Sequence, residues 1–131
     1  MNKICVLGSM NMDLVLKVKD MPKVGETILS KSFQKIAGGK GANQAVAAKR
    51  SGAEVFMISK IGKDENGREL RDKLVEDNID VKYVFEDRIE PTGMALIMVN
   101  DNGNNSIIVN AGSNMTLTKE EIHSAENLIK E

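Results

Sequence analysis

The sequence predicts an α/β fold: a parallel-type sheet with flanking helices, incomplete in this chain, plus a small antiparallel β lid from two insertions. Three observations carry this. Short apolar runs alternate with helical segments as far as residue 78, the order that lays parallel strands beneath helices. Two further stretches, residues 13–36 and 81–111, each read as consecutive strands with no helix inside the stretch. Within the second, Asp101-Asn102-Gly103 marks a hairpin turn.

The elements follow in order. Ile4-Cys5-Val6-Leu7, within residues 3–7, reads as a buried strand closed by the turn-prone Gly8-Ser9. Residues 13–19 alternate, with Leu14, Leu16 and Val18 on one face and Val15, Lys17 and Lys19 on the other, which predicts a half-exposed strand. Met21-Pro22 and Gly25 break it, and another strand is predicted from Thr27 to Ile36. Gly38-Gly39-Lys40-Gly41 opens a small-residue helix from Ala42 to Ser51, stopped by Gly52. Ala42, Ala45, Val46 and Lys49 share one stripe, and the alanines let the helix sit close on a sheet.

Val55 to Ile58 forms a second buried strand, ended by Gly62. Asp64 is placed to cap a helix to about Asn78, with Leu70, Leu74 and Val75 facing inward. Residues 81–85, 92–99 and 105–111 read as three strands. In the middle one Thr92, Met94, Leu96 and Met98 alternate with Ala95, Ile97 and Val99, so both faces are expected to be covered. Thr118-Lys119-Glu120-Glu121 fits a capping box that starts a helix into the C-terminus, striped by Ile122, Ala125 and Ile129.

Composition narrows the function. A chain of 131 residues, 41% hydrophobic and 28% charged, is ordinary for a globular domain and against disorder. Its net charge of -1 gives no electrostatic case for nucleic acid or an anionic membrane. The single Cys5 excludes an internal disulfide framework, and the single His123 argues against a Cys/His metal site. No apolar run approaches the roughly 20 residues of a membrane span. The opening apolar run is too short for a secretory leader, so a cytoplasmic location is expected.

Two segments carry the chemistry. In Gly38-Gly39-Lys40-Gly41-Ala42-Asn43 the glycines permit close backbone approach, and the helix start offers free N–H donors with a partial positive charge. Lys40 adds a full charge and Asn43 an amide that both donates and accepts. This suits a polyhydroxyl or anionic ligand. It is not a Walker A loop, because Gly41 stands where a magnesium-binding hydroxyl would follow Lys40. It is not a dinucleotide fingerprint, because the spacing fails at Gln44. The bland alternative, a turn that only packs a helix on a strand, weighs about evenly.

The other segment is Gly8-Ser9-Met10-Asn11-Met12-Asp13, at the end of the first strand, where open α/β sheets bind ligands. Asn11 and Asp13 are two apart and project to one side of an extended backbone. A carboxylate beside an amide can accept from two neighbouring hydroxyls and donate to a third. The alternative, an Asx-turn, is the commoner outcome for such a pattern.

Together these segments resemble the ribokinase-like (PfkB) carbohydrate kinase family. The resemblance rests on Gly8 to Asp13, Pro22 with Gly25-Glu26-Thr27, Gly38 to Ala48, Arg50 to Ala53, Asp77 to Asp80, and Thr92 to Ile97, and it covers essentially the whole chain. The run from Gly38 to Ala48 (GGKGANQAVAA) is the most specific part. The resemblance implies a central sheet flanked by helices with a β lid at residues 13–36 and 81–111. It implies ATP-dependent phosphorylation of the primary hydroxyl of a pentose, ribose in the namesake. Asn11 and Asp13 would bind sugar hydroxyls, Gly39, Lys40 and Asn43 would continue the pocket with Gly41, and Ala95 and Ile107 of the lid would close over it. Lys40 fits a hydroxyl donor better than a catalytic acid. MgATP and a monovalent cation are the implied cofactors.

Family members are more than twice this long. Their catalytic base is an aspartate of a Gly-Ala-Gly-Asp-type motif in the C-terminal half, with the anion hole, ATP pocket and cation site. No Gly-x-Gly-Asp occurs in this sequence, so residues 1–131 are expected to be the N-terminal, sugar-binding part of such a domain and inactive alone. A face meant for the other half would be exposed, so a complementary C-terminal fragment, or self-association through the lid, is expected. The alternatives are a non-catalytic sugar-binding or dimerisation module, or a kinase for another neutral sugar or nucleoside. Residues 8–13 contain no cation for a phosphosugar, although Lys17, Lys19 or Lys35 of the lid could reach one.

Overall fold

The first apolar run forms β1 (Lys3–Leu7), and β4 (Glu54–Gly62) lies parallel beside it, with Val6 opposite Met57. β5 (Asp80–Asp87) continues the sheet in parallel, giving the order β1-β4-β5. This is a computed structural model describing residues 2–130. Between β1 and β4 the chain makes β2 (Asn11–Lys17), β3 (Ser32–Gly38) and helix α1 (Lys40–Arg50); α2 (Glu65–Glu76) joins β4 to β5. β6 (Gly93–Val99) and β7 (Asn105–Asn110) complete a second sheet, ordered β3-β2-β6-β7. In it β2 runs parallel to β6 and antiparallel to β3, while β6 and β7 form a hairpin.

One core ties the layers. Val6, Val55, Met57, Ile61 and Val84 of the parallel sheet meet Ala42 and Ala45 of α1 and Leu70 and Leu74 of α2. Burying each larger aliphatic side chain stabilises by about 1.5–3 kcal/mol. Met10 and Met12, at the corner where β1 passes into β2, carry the same core into the second sheet. The small residues of α1 have a geometric use. A methyl on Gly41 would stand 2.7 Å from the Gly8 backbone, so the helix start presses directly on that corner.

The sheets are pinned together below β6. Asp64 caps α2 by accepting from the Gly67 N–H at 2.8 Å. It also accepts from the Thr92 N–H at 2.9 Å and the Thr92 hydroxyl at 2.6 Å, and that hydroxyl accepts from the Gly62 N–H at 2.9 Å. Burial works against the Asp64 carboxylate, but these bonds from Thr92 and Gly67 outweigh it and hold it below the usual carboxylate range.

Several boundaries differ from the sequence reading. β5 belongs to the parallel sheet, so the lid's second insertion is residues 93–110 and not 81–111. The reason is the crossover through α2, which returns the chain beside β4 and buries Val84 in the core. β2 starts at Asn11, two residues earlier than predicted, and Lys19 lies outside it. β3 begins at Ser32, not Thr27, because β2 offers no ladder partner beyond Lys17. β4 runs on through Ser59 and Lys60, whose buried polar groups have partners: the Ser59 hydroxyl donates to Gly8 O at 2.6 Å, and Lys60 Nζ to Glu121 at 2.9 Å. α2 stops at Glu76, and Asn78 takes a left-handed φ of 60°.

The faces of β6 are only partly covered, with Ala95 buried and Ile97 and Met98 half-buried. The Thr118 capping box forms, but two short helices follow, α3 (Lys119–Ser124) and α4 (Glu126–Lys130), separated at the buried Ala125. Among the described residues no helix is long and apolar enough to cross a membrane.

Candidate functional site

Strand alternation settles which side chains share a side of the lid sheet. Asn11 and Asp13 of β2 fall on one face with Gly38 and Ile36 of β3, and with Gly93 and Ala95 of β6. Ala95 pairs with Asp13 and is buried; Ile107 of β7 lies one same-face position further along and is exposed. Lys35 points to the other face, where it meets Glu69 of α2 at 3.4 Å, away from Asp13.

Glycines bring the helix start to this face. A Cβ at Gly38 would sit 2.6 Å from Asp13 Oδ2, so the carboxylate occupies the space a side chain would need. Gly39 then turns the chain from β3 into α1 with φ 99° and ψ 132°. A Cβ there would meet Ser9 O at 2.7 Å and both Asn11 N and Met10 Cα at 2.9 Å. Ala42 N–H donates to Ser9 O at 3.1 Å, and Asn43 N–H to Gly39 O at 2.9 Å. No side chain caps α1, so its first turn keeps free N–H groups and partial positive charge beside the exposed Lys40.

Asp13 is half-buried, and its carboxylate has no protein hydrogen-bond partner among the described residues. Burial pushes its pKa up. A partly buried carboxylate with nothing donating to it is an acceptor site for ligand hydroxyls. Asn11 is oriented differently: its Oδ1 accepts from Asn114 Nδ2 at 2.7 Å.

Asn11, Asp13, Gly39, Lys40 and Gly41 therefore converge on one corner. Asn43 stands a single turn into α1, but the cavity it borders is a groove of about 320 Å³ between α1 and α2, walled by Met10, Ala37, Val46, Leu70 and Leu74. Ala37 faces away from Asp13 in the sheet, and Gly38 borders both spaces. The pocket expected to hold Asp13 and Asn43 together is thus split at Gly38 in this chain. The sequence reading missed Gly38 as a spacer, Gly93, and Asn114, whose partners lie more than a hundred residues away in the chain.

The profile of pfkB family carbohydrate kinases matches residues 1–131. The chain belongs to the pfkB carbohydrate kinase family. Among curated pfkB relatives, the ribokinase of Bacillus subtilis is 45% identical over 118 residues, covering 90% of this chain and 40% of that protein. A solved ribokinase of Arabidopsis thaliana, complexed with ribose and ATP, superposes with a TM-score of 0.80 at 36% identity, over 86% of this chain and 36% of the other. The Thermotoga maritima ribokinase gives 0.83 at 35% identity, over 92% and 40%. The chain thus spans about 40% of the length of the curated relatives it matches.

Proposed function

We propose that this chain supplies the sugar-binding part of a ribokinase-type kinase, which transfers a phosphoryl group from ATP to D-ribose to give ribose 5-phosphate. The observation that carries this reading is the half-buried, unpartnered Asp13 carboxylate lodged against Gly38 at the start of α1. Asp13 accepts from sugar hydroxyls, Asn11 and Lys40 donate, and Gly39 and Gly41 bring the backbone within reach. Ala95 and Ile107 give the lid's apolar cover, while Asn43, across Gly38, borders the α1–α2 groove and takes no part in this site. The solved relative that holds ribose and ATP supports the choice of ligand.

Phosphoryl transfer depends on positioning and on stabilising charge in the transition state. These residues supply the positioning of one substrate. The first turn of α1 has no hydroxyl at the place where magnesium would need one, and the described residues contain no cluster of three metal-ligating side chains. The start of α1 therefore does not fit a Walker-type MgATP site; in this reading MgATP and a monovalent cation belong to the rest of the kinase. A complementary C-terminal segment would carry them.

The lid leaves Phe33, Ile36, Ile107, Ile108 and Val109 exposed. This supports a homo-oligomer joined through the lid. A cytoplasmic location belongs to the same proposal, in keeping with one cysteine that can form no internal disulfide.

The purified chain, mixed with MgATP and D-ribose, should yield no ribose 5-phosphate by coupled assay, and light scattering at micromolar concentration should give a dimer mass. Measurable turnover would refute the division of labour; a monomer would remove the lid interface.

A further inference from the structure

Asn114 lies in the short 3-10 turn Gly112–Met115, after the lid's last strand. That turn is anchored to two other segments and closed by its own 3-10 bond. Ser113 N–H donates to Pro91 O at 2.8 Å, the Ser113 hydroxyl to Lys60 O at 3.0 Å, and Asn114 N–H to Ala111 O at 3.1 Å. From this base the Asn114 amide reaches the β1–β2 corner. Its Oδ1 accepts from Met10 N–H at 3.1 Å, and its Nδ2 donates to Met10 O at 3.0 Å and to Asn11 Oδ1 at 2.7 Å.

The order of these bonds fixes a direction. A backbone N–H can only donate and a backbone carbonyl can only accept. Met10 therefore decides which end of the Asn114 amide is oxygen and which is nitrogen. With Nδ2 of Asn114 aimed at Asn11, the Asn11 amide must turn its oxygen inward, and its own Nδ2 group becomes the free end. Asn11 Nδ2 has no protein partner among the described residues. Gly93, the β6 partner of Asn11, makes room for the contact: a Cβ there would collide with both Asn114 Nδ2 and Asn11 Oδ1.

We propose that Asn114 is a positioning residue, setting the Asn11 amide so that a donor, not an acceptor, stands beside the Asp13 carboxylate. The corner then offers a sugar one pure acceptor and one pure donor on adjacent same-face positions of β2. This fits two neighbouring hydroxyls, one donating to Asp13 and the other accepting from Asn11. The claim rests on the sugar-binding reading above. It adds a residue with no ligand contact of its own, and it predicts a coupling that the Met10 clamp alone would not produce.

The test is a double-mutant cycle on the 131-residue chain: Asn11→Ala, Asn114→Ala and the pair. Each is read by D-ribose calorimetry and by thermal unfolding. Asn114→Ala should weaken ribose by about fivefold, the scale of one hydrogen bond. Asn11→Ala should weaken it by a similar factor, and the pair no further than Asn11→Ala alone. The unfolding midpoint should fall with Asn114→Ala in both backgrounds, because the Met10 clamp is lost in either. The proposal is overturned if Asn114→Ala weakens ribose by the same factor with and without Asn11, or not at all. Should Asn114→Ala fail to fold, Asn114→Asp keeps the acceptor for Met10 N–H while dropping the donors to Met10 O and to Asn11, and the same comparison applies. If the wild type binds no ribose, the sugar reading fails on its own. The positioning claim is then decided by the Asn11 side-chain amide resonances, which move on substitution at Asn114 if the contact sets them and stay in place if it does not.

Discussion

Gly39→Ala should destabilise the chain by about 2–6 kcal/mol, combining a backbone region nearly closed to other residues with overpacking against main chain. Gly39 holds φ 99°, and the added methyl would lie within 3 Å of Ser9 O, Asn11 N and Met10 Cα. None of these is the far end of a flexible side chain, so relief requires moving the β1–β2 corner or the α1 start. Both carry the candidate site. Gly52→Ala is the control, because Gly52 has a similar φ of 101° with nothing within 4 Å of its added Cβ. That variant should cost only the dihedral component, about 1–3 kcal/mol. Chemical denaturation measures both. Equal losses would mean that Gly39 serves conformation alone and that the close approach to Ser9–Asn11 is not enforced.

Asp13→Asn should move stability and ligand affinity in opposite directions. Burial raises the Asp13 pKa, so the folded chain holds this proton more tightly than the unfolded chain does. A carboxyl shifted that way costs the fold stability as pH rises through its raised pKa. The neutral isostere removes it, so the unfolding midpoint should hold or rise. Ribose affinity should fall by about 1–3 kcal/mol, roughly five- to a hundredfold, as charge-assisted acceptance is replaced by a neutral amide. Thermal unfolding and calorimetry at pH 7 give the two numbers. A variant that loses stability without losing ribose would make Asp13 a structural residue.

Much of this was legible from local pattern. The capping carboxylate of Asp64, the Thr118 box and the glycine entry to α1 each depend on a few neighbouring residues, and each forms where the spacing places it. The membership of β5 was not legible. Its Val81, Tyr83 and Phe85 alternate with Lys82, Val84 and Glu86, which reads as a half-exposed lid strand; only its register against β4 assigns it to the core sheet. Ser59 and Lys60 break the apolar run of β4 on paper. In the fold their polar ends are satisfied by Gly8 O and Glu121, and the strand continues. In the site, Asn11 and Asp13 were visible as a same-face pair. Asn114 was not, since an asparagine in a turn after a strand has many local uses and its partners lie at the far end of the sequence. The split between the Asp13 corner and the α1–α2 groove was equally hidden, because Gly38 has no side chain to indicate which space it divides.

Titration of the nitrogen-15-labelled chain with D-ribose, followed residue by residue, distinguishes those two spaces. The backbone amides of Asn11, Asp13, Gly39, Lys40 and Gly41 should shift together and saturate along one isotherm, with the Asn11 side-chain pair among them. Shifts confined to Val46, Arg50, Leu70 and Lys73 would place any sugar in the α1–α2 groove and contradict the Asp13 site, as would a spectrum that ribose leaves unchanged.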